Sequence, residues 1–231
     1  MDKQFLYQTN GLLFWSEEAI QIRQMFVDRL VNAVEQSLLR MNTAFKMIQC
    51  EAPILTPNHL ISSNYTEEDY FRINEHLSLR PETTMGSYVY ARHITNGYHN
   101  PKYKLPICVW QHGKSFRKEQ DQSSKFMRLK EFYQLEFQIL FSNSTSKDYY
   151  PEIVHDVWNE LSKMLTGRVR VDKSDRLPFY SDETLDVICN TNNVDMEICS
   201  ISRRKDYGDS IRNIEIAVGT DRCVYQYINE Q

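Results

Sequence analysis

The 231 residues predict an α+β fold, an antiparallel β-sheet flanked by helices. Three observations carry this. Strand patterns outnumber helical ones, the strands follow each other in hairpin order, and long helical repeats sit among them at 17–40 and 151–165. The patterned segments leave little room for a second independent core. Only seven glycines occur, so a flexible linker is not indicated, and no internal repeat is found. A single domain over 1–231 is expected.

In order, residues 11–15, GLLFW, are a short apolar segment. Ser16 reads as a helix cap, with Glu17 and Glu18 where the helix dipole favours acids. Ile22, Phe26, Leu30, Ala33 and Val34 recur at helical spacing, giving an amphipathic helix over 17–40. A strand is expected near 46–50. The stretch from Pro53 to Pro57 is extended, because proline at both ends excludes a helix. Residues 58–76 are polar and mixed. Residues 78–94 predict a strand, a turn at Pro81 and then a helix.

Residues 105–119 and 128–141 predict two long strands joined by the polar loop EQDQSSKF. A helix over 151–165 places Ile153, Val157, Leu161 and Leu165 on one face. Strands follow at 168–172, 184–189 and 194–201, with 202–212 as a charged connector. The end predicts a strand, a turn at Gly219 and a terminal helix.

The formal net charge of −4 excludes a general electrostatic coat for nucleic acid, though not a local patch. Five cysteines, an odd number without CxxC spacing, point to neither a disulfide framework nor a zinc site, and fit a reducing cytoplasm. The first residues lack a hydrophobic signal core, and no apolar run approaches a membrane span. A cytoplasmic location with no membrane partner is expected. His76, His93, His99 and His112 are not spaced as metal ligands.

The informative stretches are SFRKE, 115–119, and RLKEFYQLEFQILF, 128–141. Side chains alternate faces along a strand. The odd positions of the second stretch, Leu129 to Phe141, are nearly all apolar and should pack on the helices. Arg128, Phe132, Gln134 and Glu136 share the other face, as do Gln111, Ser115, Arg117 and Glu119 on the preceding strand. Two arginines, two glutamates and a phenyl ring on adjacent strands suit ATP: a guanidinium fork for phosphate, a carboxylate for an amino group, a ring for the base. The same set also suits a solvated sheet face laced by cross-strand ion pairs.

FRKE, a loop and RLKEFYQLE resemble motif 2 of class II aminoacyl-tRNA synthetases, and LPICVWQHGKSFRKE is similar to the glycyl-tRNA synthetase stretch. LRPETTMG, 79–86, resembles that family's amino-acid-binding segment. GLLFW, the long helix and Pro53 resemble motif 1, the dimer-forming element. VGTDR, 218–222, resembles motif 3, and VDMEICSISRRKDY, 194–207, the segment before it. The resemblance runs from about residue 10 to the end.

It implies that an amino-acid carboxylate attacks the α-phosphate of ATP, giving an aminoacyl-adenylate and pyrophosphate. Arg117 would hold the α-phosphate, and Arg128 and Arg222 the outer phosphates. Phe132 would stack under adenine, Glu119 would meet its amino edge, and Glu197 would bind Mg²⁺. Arg117 and Arg222 would be catalytic. Arg80, Glu82, Glu136 and Glu215 would form a crowded amino-acid pocket, with glycine the first candidate. The acceptor is left open between a tRNA acceptor end, a carrier protein and a small molecule. A homodimer through residues 11–57 is implied, and no anticodon-binding domain is expected.

The sequence departs from the glycyl pattern at Ala217, where the family has serine, and at Lys118, where asparagine is frequent. The alternative is a catalytically inactive, dimeric accessory protein of the same descent. Retention of the ATP-contacting set favours the enzyme.

Overall fold

The computed structural model describes residues 5–9, 11–42, 44–96, 102–118 and 127–229. Glu119, His99 and the loop 119–126 lie outside them. A hairpin opens the chain, β1 (Phe5–Thr9) and β2 (Leu12–Trp15). Between them Gly11 has φ 77°, open to a residue without Cβ. The strand β1 was not anticipated; its five residues carry little alternation.

Ser16 caps α1 (Glu17–Met41) by accepting from Ala19 N at 3.2 Å, as its place before two acidic residues predicts. Next come β3 (Lys46–Gln49), β4 (Leu55–Pro57), a 3₁₀ turn over Asn58–Leu60, β5 (Leu77–Leu79) and α2 (Thr84–Asn96). The hairpin partners are β6 (Ile107–Phe116) and β7 (Glu131–Ser142). The remainder is α3 (Tyr150–Met164), β8 (Arg168–Lys173), β9 (Ser181–Thr191), β10 (Val194–Arg204), β11 (Ile211–Gly219) and α4 (Thr220–Asn229). The expected charged connector is shorter than 202–212, because β10 continues through Arg204.

Seven strands form one sheet in the order β3-β6-β7-β11-β10-β9-β8. Every pair is antiparallel except β3 with β6, so the expected antiparallel sheet is a mixed one with a single parallel edge pair. The connection from β3 to β6 contains the β4-β5 hairpin and α2, long enough for the crossover a parallel pair needs.

The two faces have different tasks. Leu135, Phe137, Ile139 and Phe141 of β7 and Ile214, Ile216 and Val218 of β11 pack against Phe26, Leu30 and Val34 of α1, with α3 and α4 completing the layer. Burial of these large apolar side chains contributes about 1.5–3 kcal/mol each. On the opposite face α2 covers only one end, where Tyr88, Ala91 and Ile94 meet Ile107, Val109 and Leu140. The rest of that face is a polar floor.

Register sets the floor's composition. One cross-strand row runs Asp186–Ser200–Ala217–Glu136–Gln111, and the next runs Thr184–Ser202–Glu215–Gln138. Opposed residues in an antiparallel pair point to the same face, so acids from β7 and β11 meet.

Candidate active site

A cleft of about 180 Å³ opens on the polar floor. It is lined by Glu82, Arg117, Arg128, Phe132, Glu197, Glu215 and Arg222 among others. These residues come from β7, β10, β11, the first turn of α4 and the segments flanking α2 and β6. Residues more than a hundred positions apart are thus gathered in one concavity, which a solvated sheet face does not require.

The half of the cleft near the hairpin end is cationic. Arg117 donates from Nε to Pro81 O at 3.0 Å and from Nη2 to the Tyr65 hydroxyl at 2.8 Å. Its guanidinium lies 5.2 Å from the Phe132 ring centre. Arg222, in the first turn of α4, donates to Glu197 O at 2.8 Å. Glu197 stands open to solvent at the mouth, yet the surrounding protein raises its carboxyl above the ordinary value against the pull of Arg222.

Strict alternation along β10 would put Glu197 on the helix-facing side with Ile201. A bulge between Glu197 and Cys199 changes the parity. Glu197, Ser200 and Ser202 therefore all line the cleft, while Met196, Cys199 and Ile201 stay in the core.

The closed half is acidic. Glu136 is fully buried and Glu215 is 4% exposed. Gln138 Nε2 donates to both, at 2.7 Å to Glu136 and 2.8 Å to Glu215. Thr84 Oγ1 donates to Glu136 at 3.3 Å. Arg204 pairs with Glu215 and, at 2.6 Å, with Asp206, and its guanidinium lies 3.9 Å from the Tyr180 ring centre. Glu82 accepts from the Tyr65 hydroxyl at 2.7 Å. Burial pushes the Glu82 carboxyl up, opposed by Arg117. Burial, reinforced by Glu215, holds Glu136 well above the carboxylate range. A cavity end lined by the Glu82 and Glu215 carboxyl groups, with Glu136 behind them, favours a group that supplies hydrogen bonds.

Two expected pocket residues sit elsewhere. Arg80 does not line the cleft. It is 4% exposed and donates to Lys114 O and Ala52 O, both at 2.7 Å. A buried guanidinium needs acceptors, and the backbone of β6 and of the segment between β3 and β4 provides them. Gly113 makes the room, since a Cβ there would stand 2.3 Å from Arg80 Nη2. Arg80 therefore holds the 80–84 segment against the sheet. Glu136 lies beneath the floor, reached through Gln138 and Thr84. The expected role of Glu119 falls outside the described residues.

Several residues that line the cleft or hold its lining carried no sequence signal. Tyr65 lies in the mixed polar stretch. Arg204 and Tyr180 flank strand ends, and their partners are distant in sequence. Ser200 and Ser202 alternate with the core residues Cys199 and Ile201, whereas Glu197 shares their face only through the bulge. His112, half-buried and stacked on Tyr133 at 5.0 Å, is pushed down to about 4 by desolvation, with Arg23 adding to the shift, and donates or accepts at Thr220 Oγ1. It is a neutral histidine satisfied by its neighbours. Among the described residues no group of three His, Cys, Asp or Glu side chains could hold a metal by itself. No helix among them is long and apolar enough to cross a membrane.

Comparison with known proteins gives a consistent set of matches. The family model described as the tRNA synthetase class II core domain (G, H, P, S and T) matches residues 65–220. A glycine--tRNA ligase of Mycoplasmopsis synoviae is 32% identical over 116 residues, 48% of this chain and 25% of that protein. A glycine--tRNA ligase of Pyrococcus abyssi is 37% identical over 79 residues, 34% of this chain and 13% of that protein. The chain thus spans a quarter or less of the length of these curated relatives. The crystal structure of prolyl-tRNA synthetase from Cryptosporidium parvum complexed with halofuginone and AMPPNP superposes with a TM-score of 0.71 over 97% of this chain and 49% of that one. At 13% identity that likeness concerns the fold.

Proposed function

The chain belongs to the class II tRNA synthetase core family, and from that premise we propose that it activates a small amino acid with ATP to an aminoacyl-adenylate. The observation that carries this reading is the shared cleft: cationic and aromatic groups at one end, a carboxyl cluster at the other. A nucleotide triphosphate and an α-amino acid need those two environments side by side.

The chemistry follows from the placement. The substrate carboxylate attacks the α-phosphorus. A phosphorus–oxygen bond forms as the bond to the bridging β-phosphate oxygen breaks, and pyrophosphate leaves with that electron pair. The attacking carboxylate is already ionised at neutral pH, so no general base is needed. Arg117 stabilises charge growing on the α-phosphate, while Arg128 and Arg222 hold the outer phosphates. Phe132 supplies the face for adenine, and Glu119 meets its amino edge. Mg²⁺ bound to the phosphates would neutralise part of their charge, and the Glu197 carboxylate is the hard oxygen ligand placed to share it. A site with one carboxylate suits an ion that keeps phosphate and water ligands.

Glu82 and Glu215 face the ammonium group, with Glu136 behind them joined to Glu215 through Gln138. Arg80 positions Glu82. Tyr180, Ser200 and Ala217 line the same cleft as Glu82 and Glu215, and the crowding there is proposed to exclude larger side chains. Glycine is the first candidate, in line with the names of the curated relatives. The seven-stranded sheet carries both halves of the cleft, in line with a single catalytic domain, and a cytoplasmic location is part of the same proposal. A tRNA acceptor end is the first acceptor to test, ahead of a carrier protein or small molecule. The dimer is proposed to form through residues 11–57.

The test is ATP–pyrophosphate exchange against each of the twenty amino acids. One or a few small amino acids should support exchange, and Arg117→Ala should abolish it with the circular dichroism spectrum unchanged. Twenty negatives would favour the catalytically inactive accessory protein.

A further inference from the structure

One side chain joins the two halves of the cleft. Tyr65 lies in the irregular segment before β5, in neither hydrophobic cluster. Its hydroxyl accepts from Arg117 Nη2 at 2.8 Å and donates to Glu82 Oε2 at 2.7 Å. The Arg117 guanidinium also lies 5.2 Å from the centre of its ring. A phenol has one proton to give and lone pairs to receive with, so this geometry uses it in one direction: Arg117 to Tyr65 to Glu82.

We propose that Tyr65 is a positioning residue that couples nucleotide binding to amino-acid binding. The inference rests on the adenylate-forming reading of the cleft. Both ends of the chain are groups that touch substrate in that reading, Arg117 the α-phosphate and Glu82 the ammonium. A donor bond from a cation polarises the phenol and strengthens its own bond to the carboxylate, so the links reinforce each other. Phosphate that fixes the Arg117 fork therefore fixes Tyr65, and Tyr65 fixes Glu82 in the rotamer that meets the ammonium. The reverse holds for the amino acid, because a coupling free energy between two sites is reciprocal. Two further contacts stiffen the frame: Arg117 Nε is held by Pro81 O, next in the chain to Glu82, and Lys118 N donates to Asp69 O at 2.9 Å, four residues beyond Tyr65.

The experiment is calorimetry on the full chain and on Tyr65→Phe, which keeps the ring over Arg117 and removes only the hydroxyl. Glycine, alanine and serine are titrated in turn, with and without saturating α,β-methylene ATP. In the unmodified protein the nucleotide analogue should tighten the amino acid by about 5-fold or more, the lower end of ordinary coupling. The amino acid should tighten the analogue by the same factor. In Tyr65→Phe both factors should fall to within twofold of unity, while each ligand alone binds within about 3-fold of its original affinity. A purely structural role would weaken both ligands alone and leave the coupling factor in place, and that result overturns the inference. So does undiminished coupling in the variant. Should Tyr65→Phe prove unfolded by circular dichroism, the unmodified protein still decides: analogue and amino acid that bind without affecting each other refute the coupling. No binding of the analogue or of any of the three amino acids to the unmodified protein would instead overturn the activation reading, and the inference with it.

Discussion

Phe132 has two neighbours with opposite demands. Its ring packs at the edge of the helix-side core and lines the cleft, with the Arg117 guanidinium 5.2 Å from its centre. A ring that already faces a cation has a π-surface available to a base. Phe132→Ala should weaken ATP binding by about 1–3 kcal/mol, the usual loss of one base-on-aromatic stack. Phe132→Leu should recover packing but not affinity. Unaltered ATP affinity in both variants, measured by calorimetry, would remove the stacking role. At this scale the sequence was informative where regular alternation holds: Arg117, Phe132 and Glu136 were placed on one face by counting in twos. It was uninformative where geometry depends on partners. Arg80 looked like a ligand because its neighbours Pro81 and Glu82 flank the site, yet nothing in the sequence tells that Gly113 leaves a slot for its guanidinium. Tyr65 had no periodicity to report it.

The elements explain why the arginine and acid ends stay in register. Helix α4 begins at Thr220, one residue after β11 ends, so Arg222 is aimed at the cleft only if α4 cannot rotate. Asp221 in the same turn pins it. Its carboxylate takes Arg23 of α1 at 3.1 Å and the Tyr133 N–H of β7 at 2.9 Å. Burial nevertheless pushes the Asp221 carboxyl up to about 6, with Arg23 pulling it back. A carboxyl whose folded value lies above its ordinary 3.8 binds its proton more tightly when folded. Its stabilising contribution is complete below pH 3.8 and is lost as pH rises through about 6. Asp221→Asn removes that titration. The stability advantage of the unmodified protein over the variant should therefore shrink between pH 4 and pH 7, by on the order of 2 kcal/mol. Chemical denaturation at both pH values checks this. An advantage that grows with pH would mean the Arg23 pair outweighs desolvation. The Ser16 cap and the long hairpin were legible as elements because capping and alternation are local. The bulge at Glu197 and the parallel pairing of β3 were not, since both arise from the partner strand.

At the scale of the whole molecule, the amino-acid end of the cleft backs onto an apolar surface. Ile54 and Leu55 are 45% and 48% exposed, and Val89 of α2 is 41% exposed. Leu55 and Val89 line a groove of about 490 Å³, together with Ala52, Pro53, Leu60 and Met85 among others. This apolar surface falls at the end of the 11–57 stretch proposed to form the dimer, where a second copy would cover it. The same strand supports the site: Leu55 pairs with Leu79, and Arg80 N donates to Ile54 O at 2.9 Å. The backbone that would meet a second copy is therefore one hydrogen-bonded layer from Glu82. Dimer formation should stiffen that layer, so assembly and activity should fall together. Leu55→Asp places a charge in the groove without touching a cleft residue. It should shift the protein from dimer to monomer in analytical ultracentrifugation at micromolar concentration and raise the KM for the amino acid more than that for ATP. A monomeric unmodified protein with full exchange activity would refute both halves of this argument. A monomeric Leu55→Asp with unchanged kinetics would keep the dimer and dissociate it from the chemistry.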